Sequence, residues 1–320
     1  MAVLPATPES IARATVLLRG GGVVAFPTET VYGLGALAFD AFAIARIFEI
    51  KRRPSFDPLI VHVLERAMLH RVASHVPEAA QRLVERFWPG PLTLVLPKQS
   101  SVPGIVTAGL ATVAVRAPSH PVARALLAGV GEPIAAPSAN PFGALSPTRA
   151  GHVAQALGES VELILDGGPS EYGIESTIVG FDGGPVLLRP GAVAVEAIEA
   201  TIGPVLRSSS DGPARAPGQL PEHYAPRTPL RVIDPASVPQ TERARAALLA
   251  MREPLTGYAA ARVLSHRGDL REAAATLFEA LHELDALGLE RIDAQSVPER
   301  GLGLAIMDRL RRAQASSSNA

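Results

Sequence analysis

A stretch near residues 206–229 of this 320-residue chain limits how the chain can be divided into domains, because it is dense in serine, proline and glycine. Its sequence includes SSSDGPARAPGQLPEHYAPRTP. Regular patterns of short apolar segments and helical segments lie on both sides of it. Such a composition predicts an extended linker with polyproline-like character. The chain is also longer than a usual single domain. We therefore predict two domains, over residues 8–205 and 230–320, joined by a linker over residues 206–229.

The first part of the chain predicts an α+β or mixed α/β domain. Short apolar segments, as expected of strands, occur at PLIVHV, LTLVLP, TVAVRAP, PIAAPSAN, ELILDGG, STIVGF and VLLRPG, and helical stretches separate them. A helix is expected around residues 8 to 19, and Asp40 is a suitable N-cap for a second helix over AFAIARIFEI. Because that helix must end before Pro54, the KRR run at residues 51–53 lies at its C-terminal end.

The last part of the chain predicts a smaller domain. LRVID indicates a strand, TERARAALLAM a helix, the region near LTGYAA a strand, LREAAATLFEALHEL a long helix, RIDAQSV a strand and AIMDRLRRA a final helix. This alternation is typical of a small open α/β, Rossmann-like domain.

The composition excludes several classes of function. The chain has no cysteine, which excludes a disulfide framework and a thiolate nucleophile and favours a cytoplasmic location. A formal net charge of −1 argues against a surface that binds nucleic acid everywhere. No segment approaches the roughly 18 uninterrupted apolar residues of a membrane span. No paired histidines have the spacing of a zinc site, so no protein-held zinc is expected.

Three adjacent cations, Lys51, Arg52 and Arg53, begin the segment KRRPSFDPLIVHV. Taken alone, this run is consistent with cations that stabilise the C-terminal end of a helix. A binding site for an anion is the alternative. Lys51 and Lys98 are the only lysines in the chain, and a compact ammonium group suits a phosphate.

The segment APSANPFGALSPT places Ser138, Asn140, Ser146 and Thr148 on a proline-braced loop directly after an apolar strand. This placement aims hydroxyl and amide groups into a crevice at the strand end, although the same residue types also build ordinary turns. The usual nucleotide motifs are missing. GLG lacks the third glycine of GxGxxG because Ala38 stands there, and the sequence contains neither GxxxxGK[ST] nor GxSxG.

Nine segments in order resemble the threonylcarbamoyl-AMP synthase family in its two-domain form. They are PTETVYGLG, KRRPSFDPLIVHV, FWPGPLTLVL, TVAVRAP, APSANPFGALSPT, GIESTIV, LLRPG, PGQLPEHYAP and GLGLAIMDRLRRA. The resemblance covers nearly the whole chain. It implies a YrdC-like catalytic domain with a twisted mixed sheet, followed by the linker and a small α/β domain. Family members commonly carry asparagine at the position of Asp57.

The resemblance also implies the substrates ATP, L-threonine and bicarbonate, with Mg²⁺ accompanying ATP. Lys51 and Arg53 are implied as the catalytic cations. The implied ATP-binding residues are Lys51, Arg53, Asp57, Asn140, Ser146, Arg189 and Tyr224. The implied threonine-binding residues are Thr30, Tyr32, His62, Arg116, Ser138 and Ser176. The linker, through His223 and Tyr224, is expected to lie across the mouth of the first domain.

The implied reaction is carboxylation of the threonine amine, attack of the carbamate on the α-phosphate and departure of pyrophosphate. Its product is the precursor of N6-threonylcarbamoyladenosine in tRNA and is passed to a separate tRNA threonylcarbamoyl transferase complex. A weak contact with tRNA is also expected, and no membrane partner. Two alternatives stay open at this point. One is a double-stranded RNA- or tRNA-binding protein without nucleotide turnover, and the other is a hydrolase or carbamoyl transferase acting on other amines.

Overall fold

The computed structural model describes residues 1–208, 216–218 and 223–318. Residues 209–215 and 219–222 of the predicted linker, and the last two residues of the chain, lie outside the described residues. Within the described ranges, no helix is both long enough and apolar enough to cross a bilayer.

The helices and strands have the following bounds. The helices are α1 Pro8–Arg19, α2 Ala41–Lys51, α3 Arg66–Val72, α4 Glu78–Phe87, α5 Pro121–Val130, α6 Ala150–Leu157, α7 Val195–Ile202, α8 Gln240–Arg243, α9 Leu270–Asp285 and α10 Gly303–Ser318. The strands are β1 Ala2–Pro5, β2 Val24–Phe26, β3 Gly33–Leu37, β4 Ile60–His62, β5 Leu92–Pro97, β6 Thr112–Arg116, β7 Ile134–Ala135, β8 Leu163–Asp166, β9 Thr177–Gly180, β10 Val186–Arg189, β11 Leu206–Arg207, β12 Leu230–Val232, β13 Ala246–Ala250, β14 Ala260–Val263 and β15 Arg291–Ala294.

The first domain is built on an 11-stranded mixed sheet in the order β1-β8-β2-β3-β7-β4-β6-β5-β9-β10-β11. Strands β4 and β6 are parallel, with His62 opposite Arg116 in register. Strands β5 and β9 are also parallel, whereas β2 with β3 and β9 with β10 are antiparallel. The C-terminal ends of β4 and β6 therefore meet at one edge, where their last residues, His62 and Arg116, lie side by side.

Local sequence explains the helices that lead to this edge. The predicted N-cap of α2 is confirmed, because the Asp40 carboxylate accepts hydrogen bonds of 3.0 Å from the backbone N–H groups of Phe42 and Ala43. The helix ends at Arg52, which has a left-handed backbone with φ of 50°. The helix predicted around residues 8 to 19 is also confirmed, with a capping box at Thr7 and Ser10.

The sheet is buried on both faces. Along β2, Ala25 belongs to a core cluster that includes Ile44 and Ile47, whereas Val24 and Phe26 belong to a second cluster. Successive side chains of a strand point to opposite faces, so the two clusters cover the two sides of the sheet. Helix α2 lies on one side and α1 with α5 lies on the other, as their buried residues in these clusters indicate.

The second domain has a four-stranded, entirely parallel sheet in the order β12-β15-β13-β14. The helix predicted over TERARAALLAM is wrong in its second half. Only Gln240–Arg243 is helical, and Ala246–Ala250 forms the strand β13, all five residues of which are buried. A short apolar run does not distinguish a buried helix from a strand covered on both faces, and here the sheet partners decided the outcome.

The two domains pack directly against each other. Arg149 of the first domain pairs with Glu279 of α9 at 2.6 Å, and Arg271 of α9 pairs with Glu171 at 2.6 Å. One hydrophobic cluster draws residues from both domains, among them Ile174 and Phe278. The predicted fold class, a mixed-sheet domain followed by a small α/β domain, is confirmed, while the domain boundaries stay a prediction.

Candidate active site

A cavity that is partly open to solvent lies at the sheet edge where β4 and β6 end. It is lined by Thr28, Thr30, Val31, Tyr32, Gly33, Arg53, Ile60, His62, Arg116, Ala136, Pro137, Ser138, Glu175, Ser176, Arg189, Pro217, Gly218, His223 and Tyr224. Three of these side chains are guanidinium groups and one is a carboxylate. The cavity is therefore suited to anionic ligands.

Arg116, the last residue of β6, lies at one end of the cavity. Its Nη1 donates a hydrogen bond of 2.8 Å to the Thr30 hydroxyl, and its Nη2 lies 2.9 Å from the Glu29 carboxylate. The Thr30 hydroxyl in turn lies 2.8 Å from that of Thr28. Arg116 and Glu29 are both buried. The pair fixes the guanidinium in the cavity wall, where a ligand carboxylate can contact it.

His62 lies beside Arg116 on the neighbouring strand. Burial, and then the nearby charge of Arg116, lower the pKa of His62 to about 3. Its Nδ1 has no hydrogen-bond partner among the described residues. His62 is therefore a neutral imidazole throughout the physiological pH range, able to accept or donate one hydrogen bond to a ligand.

Tyr32 forms part of the same wall, but its hydroxyl is engaged elsewhere. The phenol donates a hydrogen bond of 2.7 Å to the backbone carbonyl of Gly168. Burial raises the pKa of Tyr32 well above its usual value. The ring of Tyr32 can shape the cavity, while its hydroxyl fastens the loop after β8.

Lys51, the last residue of α2, supports the loop that carries Ser138 and Asn140. Its Nζ donates a hydrogen bond of 2.6 Å to the carbonyl of Ser138 and another to the carbonyl of Asn140. The Asn140 amide donates at 2.8 Å to the carbonyl of Ala144, so the loop is also braced from within. Burial, and then repulsion by Arg53, lower the pKa of Lys51 well below its usual value. An arriving polyphosphate would raise it again.

Arg53 lies on the cavity wall with Asp57 behind it. The Arg53 Nη2 lies 2.8 Å from the Asp57 carboxylate and donates at 2.7 Å to the carbonyl of Pro58, and Nε donates at 3.0 Å to the carbonyl of Asp57. Both side chains are buried. Burial raises the pKa of Asp57, and Arg53 opposes that rise. Asp57 thus neutralises and orients Arg53, although it does not line the cavity itself.

Arg189, at the end of β10, joins the sheet to the linker. Its Nη2 donates to the carbonyl and the hydroxyl of Ser176, at 2.9 and 3.2 Å, and its Nη1 donates at 3.1 Å to the carbonyl of Pro217. The Ser176 hydroxyl also lies 2.7 Å from that of Thr93. The linker is therefore fastened at the cavity by a cation that also faces the cavity.

Ser146 lies behind the cavity wall and is fully buried. Its hydroxyl donates a hydrogen bond of 2.5 Å to Oε1 of Glu175, which does line the cavity. Oε2 of the same carboxylate accepts at 3.0 Å from Arg309 of α10. A residue of the second domain is thus connected to the loop that carries Ser146.

The linker residues His223 and Tyr224 close the cavity. Tyr224 has a left-handed backbone with φ of 65°, and its ring packs 4.2 Å from that of His223 and 5.8 Å from that of Phe278. A Cβ atom at Gly218 would lie only 2.4 Å from the Tyr224 hydroxyl oxygen, so glycine is needed there. Burial, followed by the charge of Arg53, lowers the pKa of His223 well below its usual value.

The structure brings most of the residues proposed from sequence to this one place. Nine of them line the cavity: Thr30, Tyr32, Arg53, His62, Arg116, Ser138, Ser176, Arg189 and Tyr224. The other four lie one contact behind its wall, namely Lys51, Asp57, Asn140 and Ser146. Their roles toward a ligand stay predictions.

Sequence reasoning missed the two carboxylates of the site. Glu29 stands between two threonines of PTETVYGLG, and Glu175 directly precedes Ser176 in GIESTIV. Attention to buried charge could have found them, because a carboxylate inside an apolar, hydroxyl-rich motif needs a cationic partner. Among the described residues, no cluster of three or more His, Cys, Asp or Glu side chains could hold a metal ion.

Two family models match the chain. One, named Sua5/YciO/YrdC and described as "Telomere recombination", matches residues 16–191. The other, described as "Threonylcarbamoyl-AMP synthase, C-terminal domain", matches residues 193–315. Together the two models cover both sheets apart from the edge strand β1.

Curated relatives and a solved structure are similar along nearly their whole length. The threonylcarbamoyl-AMP synthase of Bacillus subtilis is 46% identical over 95% of this chain and 92% of its own. That of Pyrococcus abyssi is 44% identical over 92% of this chain and 91% of its own. The crystal structure of P. abyssi Sua5 complexed with L-threonine matches with a TM-score of 0.92 and 40% identity, covering 99% of this chain and 98% of that one.

Proposed function

This chain belongs to the threonylcarbamoyl-AMP synthase family in its two-domain form, and we propose that it condenses L-threonine, bicarbonate and Mg·ATP into threonylcarbamoyl-AMP and pyrophosphate. The observation that carries the proposal is the convergence of Arg53, Arg116 and Arg189 on one cavity, whose wall the linker helps to form. A reaction between an amino acid, bicarbonate and a triphosphate brings several anions together. It needs fixed cations and little water.

The end of the cavity with Arg116 suits threonine. A guanidinium group can bind the α-carboxylate with two parallel hydrogen bonds. Thr30 supplies a hydroxyl group beside Arg116, Ser138 and Ser176 line the same cavity, and neutral His62 adds a hydrogen-bonding group that does not repel the amino acid. Tyr32 supplies a flat apolar wall. We assign these six residues to threonine.

The part of the cavity around Arg53 and Arg189, called the nucleotide end, suits ATP. Arg53 and Arg189 face the cavity, and Lys51 lies directly behind the Ser138–Asn140 loop. Lys51 both braces this loop and adds positive charge beneath it. Asn140, Ser146 and Tyr224 complete the nucleotide side, and Asp57 acts through Arg53.

The chemistry needs no enzyme nucleophile. The threonine amine, as the free base, attacks bicarbonate or CO₂ to form an N-carboxylate, with water leaving in the bicarbonate case and a proton passing to solvent in the CO₂ case. A carbamate oxygen then attacks the α-phosphorus, and the bond to the bridging oxygen of pyrophosphate breaks. This makes the chain a nucleotidyltransferase, whose cations stabilise charge that accumulates on the departing pyrophosphate. Mg²⁺ arrives as part of the substrate Mg·ATP, with the phosphates among its ligands.

The closed linker has a purpose in this scheme. The carbamate and the mixed anhydride are both sensitive to water, so a cavity roofed by Pro217, Gly218, His223 and Tyr224 protects them. Release then requires the roof to open. Passing the product to a separate tRNA threonylcarbamoyl transferase, a weak contact with tRNA and a cytoplasmic location stay predictions.

The direct test is mass detection of threonylcarbamoyl-AMP, together with pyrophosphate release, after purified protein is incubated with ATP, L-threonine, bicarbonate and Mg²⁺. Product is expected only when all four are present. Pyrophosphate release that is unchanged without threonine would contradict the proposal. A panel of other amino acids tests the amine specificity. Salt-dependent RNA binding without turnover would instead favour the RNA-binding alternative.

A further inference from the structure

Arg309 of α10 is the largest fully buried side chain in the described part of the molecule. It belongs to the second domain, yet its hydrogen bonds cross into the first. Nη1 donates at 2.6 Å to the backbone carbonyl of Pro190, and Nε donates at 3.0 Å to Oε2 of Glu175. Nη1 also lies 2.8 Å from the carboxylate of its neighbour Asp308. The guanidinium is thus inserted behind the nucleotide end of the cavity.

Glu175 connects Arg309 to the loop that carries Ser146. One of its oxygens faces Arg309, and the other accepts the 2.5 Å hydrogen bond from the Ser146 hydroxyl. A carboxylate that is held on one side by a rigid cationic fork presents its second oxygen in a defined place. Ser146, in turn, is one of the residues assigned to ATP. Arg309, Glu175 and Ser146 therefore form one continuous buried chain, which we call the relay.

The flat face of the same guanidinium contacts the linker. The Cζ atom of Arg309 lies 5.1 Å from the centroid of the Tyr224 ring, within the range of a cation–π contact. Tyr224 lies in the cavity wall and has a left-handed backbone, which must be held by surrounding contacts. One arginine therefore supports both the loop with Ser146 and the residue that closes the nucleotide end.

Stability alone is a poor explanation for this arrangement. Desolvation of a buried ion pair offsets much of its attraction, and apolar residues of similar volume are often as stable. The domain boundary is also held by exposed pairs that do not touch the cavity, such as Arg271 with Glu171. Arg309 differs from these exposed pairs because it contacts both Glu175 and Tyr224.

We propose that Arg309 is a positioning residue for ATP, supplied by the second domain, which orients Ser146 through Glu175 and holds Tyr224 over the nucleotide. This inference rests on the proposed function. It gives the second domain a specific part in the reaction, because the nucleotide end is completed by α10 whereas the Arg116 end is built entirely from the first domain.

The test is Arg309→Met, which keeps the length of the side chain and removes its charge and fork. The Michaelis constant for ATP is expected to rise roughly tenfold or more, since small misplacement of a binding group is costly. The Michaelis constant for threonine is expected to stay within about twofold, because the Arg116 end is separate. Arg309→Lys keeps the charge and should restore part of the ATP affinity.

The matched control is Arg271→Met, which removes another arginine that bridges the same two domains away from the cavity. Its Michaelis constants should equal those of the unchanged protein. The double variant Arg309→Met with Glu175→Gln should be no worse than the more impaired single variant, because both act through one relay. Michaelis constants for ATP and threonine that rise together in Arg309→Met, or an unchanged constant for ATP, would overturn the inference.

Two further measurements cover other outcomes. If Arg309→Met does not fold, as judged by circular dichroism and thermal unfolding, Glu175→Gln alone tests the relay, and an unchanged Michaelis constant for ATP in that variant refutes it. Calorimetric binding of α,β-methylene ATP separates the inference from the proposed function. Weaker binding by Arg309→Met supports the relay even without turnover, whereas equal binding, or no binding by the unchanged protein, overturns it.

Discussion

The two ends of the cavity each hold a guanidinium beside a buried carboxylate, but they do so in different ways. Arg53 pairs with Asp57, four residues later, and also donates to two backbone carbonyls. Arg116 pairs with Glu29 from a distant segment, and the only hydrogen bond of its guanidinium within the described residues goes to the Thr30 hydroxyl. Its Nε has no hydrogen-bond partner there, and Nη2 makes the ion pair without a well-aligned hydrogen bond.

The two guanidinium groups therefore differ in how many of their N–H donors the protein already uses. The donors of Arg53 are largely used by the protein, so Arg53 acts on a ligand mainly through its charge. Arg116 keeps donors that a ligand carboxylate can take, and a buried donor without a partner is costly. We therefore expect the Arg116 end to depend on hydrogen-bond geometry and the Arg53 end to depend on charge.

The largest effect is expected for Arg116→Met. Threonine affinity should fall by roughly 30-fold or more, because removing one partner of a buried charged hydrogen bond costs about 2–5 kcal/mol. The fold should also lose about 3–5 kcal/mol, since Glu29 is left buried without its cation. Calorimetry with threonine and denaturant unfolding measure the two effects. Arg66→Met, which removes an exposed pair with Glu85, is the control. A threonine affinity within threefold of the unchanged protein would show that Arg116 does not bind the threonine carboxylate.

Lys51→Met tests the charge end. Product formation should fall roughly 100-fold or more, because the nucleotide end loses a fixed positive charge close to where negative charge develops. The two loop carbonyls also lose their shared donor, which should move Ser138 and Asn140. Mass detection of the product measures the loss, and thermal unfolding checks the fold. The control is Lys98→Met at the other lysine of the chain. Turnover within tenfold of the unchanged protein would show that this ammonium is not needed.

Replacing each buried carboxylate by its uncharged amide tests whether the two guanidinium groups depend on their partners to different degrees. Glu29→Gln should raise the Michaelis constant for threonine by roughly tenfold, because Arg116 loses its charged support. Asp57→Asn should change the Michaelis constant for ATP by less than about threefold, since Arg53 keeps its bonds to the carbonyls of residue 57 and Pro58. Each variant serves as the other's control in steady-state assays with both substrates. Equal effects at the two ends would remove the distinction.

The smallest expected effect is a change in how the free energy of unfolding depends on pH, and it comes from His62. In the folded chain His62 stays neutral down to a pKa of about 3, whereas the unfolded chain protonates it near 6.5. The unfolded state therefore binds the extra proton between these values, and this contribution to stability is lost as the pH falls from 6.5 toward 3. The slope is about 1.4 kcal/mol per pH unit for one proton.

Denaturant unfolding of His62→Asn between pH 4.5 and 7 should show a shallower loss than the unchanged protein. His75→Gln, at an exposed histidine, should keep the original slope. Burial also lowers the pKa of His223, so its contribution to stability changes with pH in the same direction. Parallel curves for His62→Asn and the unchanged protein would mean that the imidazole is charged in the fold.

The sequence by itself determined the parts that depend on neighbouring residues. The cap at Asp40, the end of α2 before Pro54 and the apolar strands β4, β5, β6 and β10 follow from local pattern and capping chemistry, and the structure confirms them. The Arg53–Asp57 pair has the same local character. The four-residue spacing of the pair can be recognised from sequence. Which of the two side chains lines the cavity cannot.

Tertiary structure decided what depends on distant partners. The run Ala246–Ala250 became a strand because two parallel neighbours and both faces of a sheet were available to bury it. Glu29 meets Arg116, and Arg309 meets Glu175, only because the strand order and the docking of α10 bring them together. A buried charge selects its partner by position in space, and no spacing along the chain records that choice.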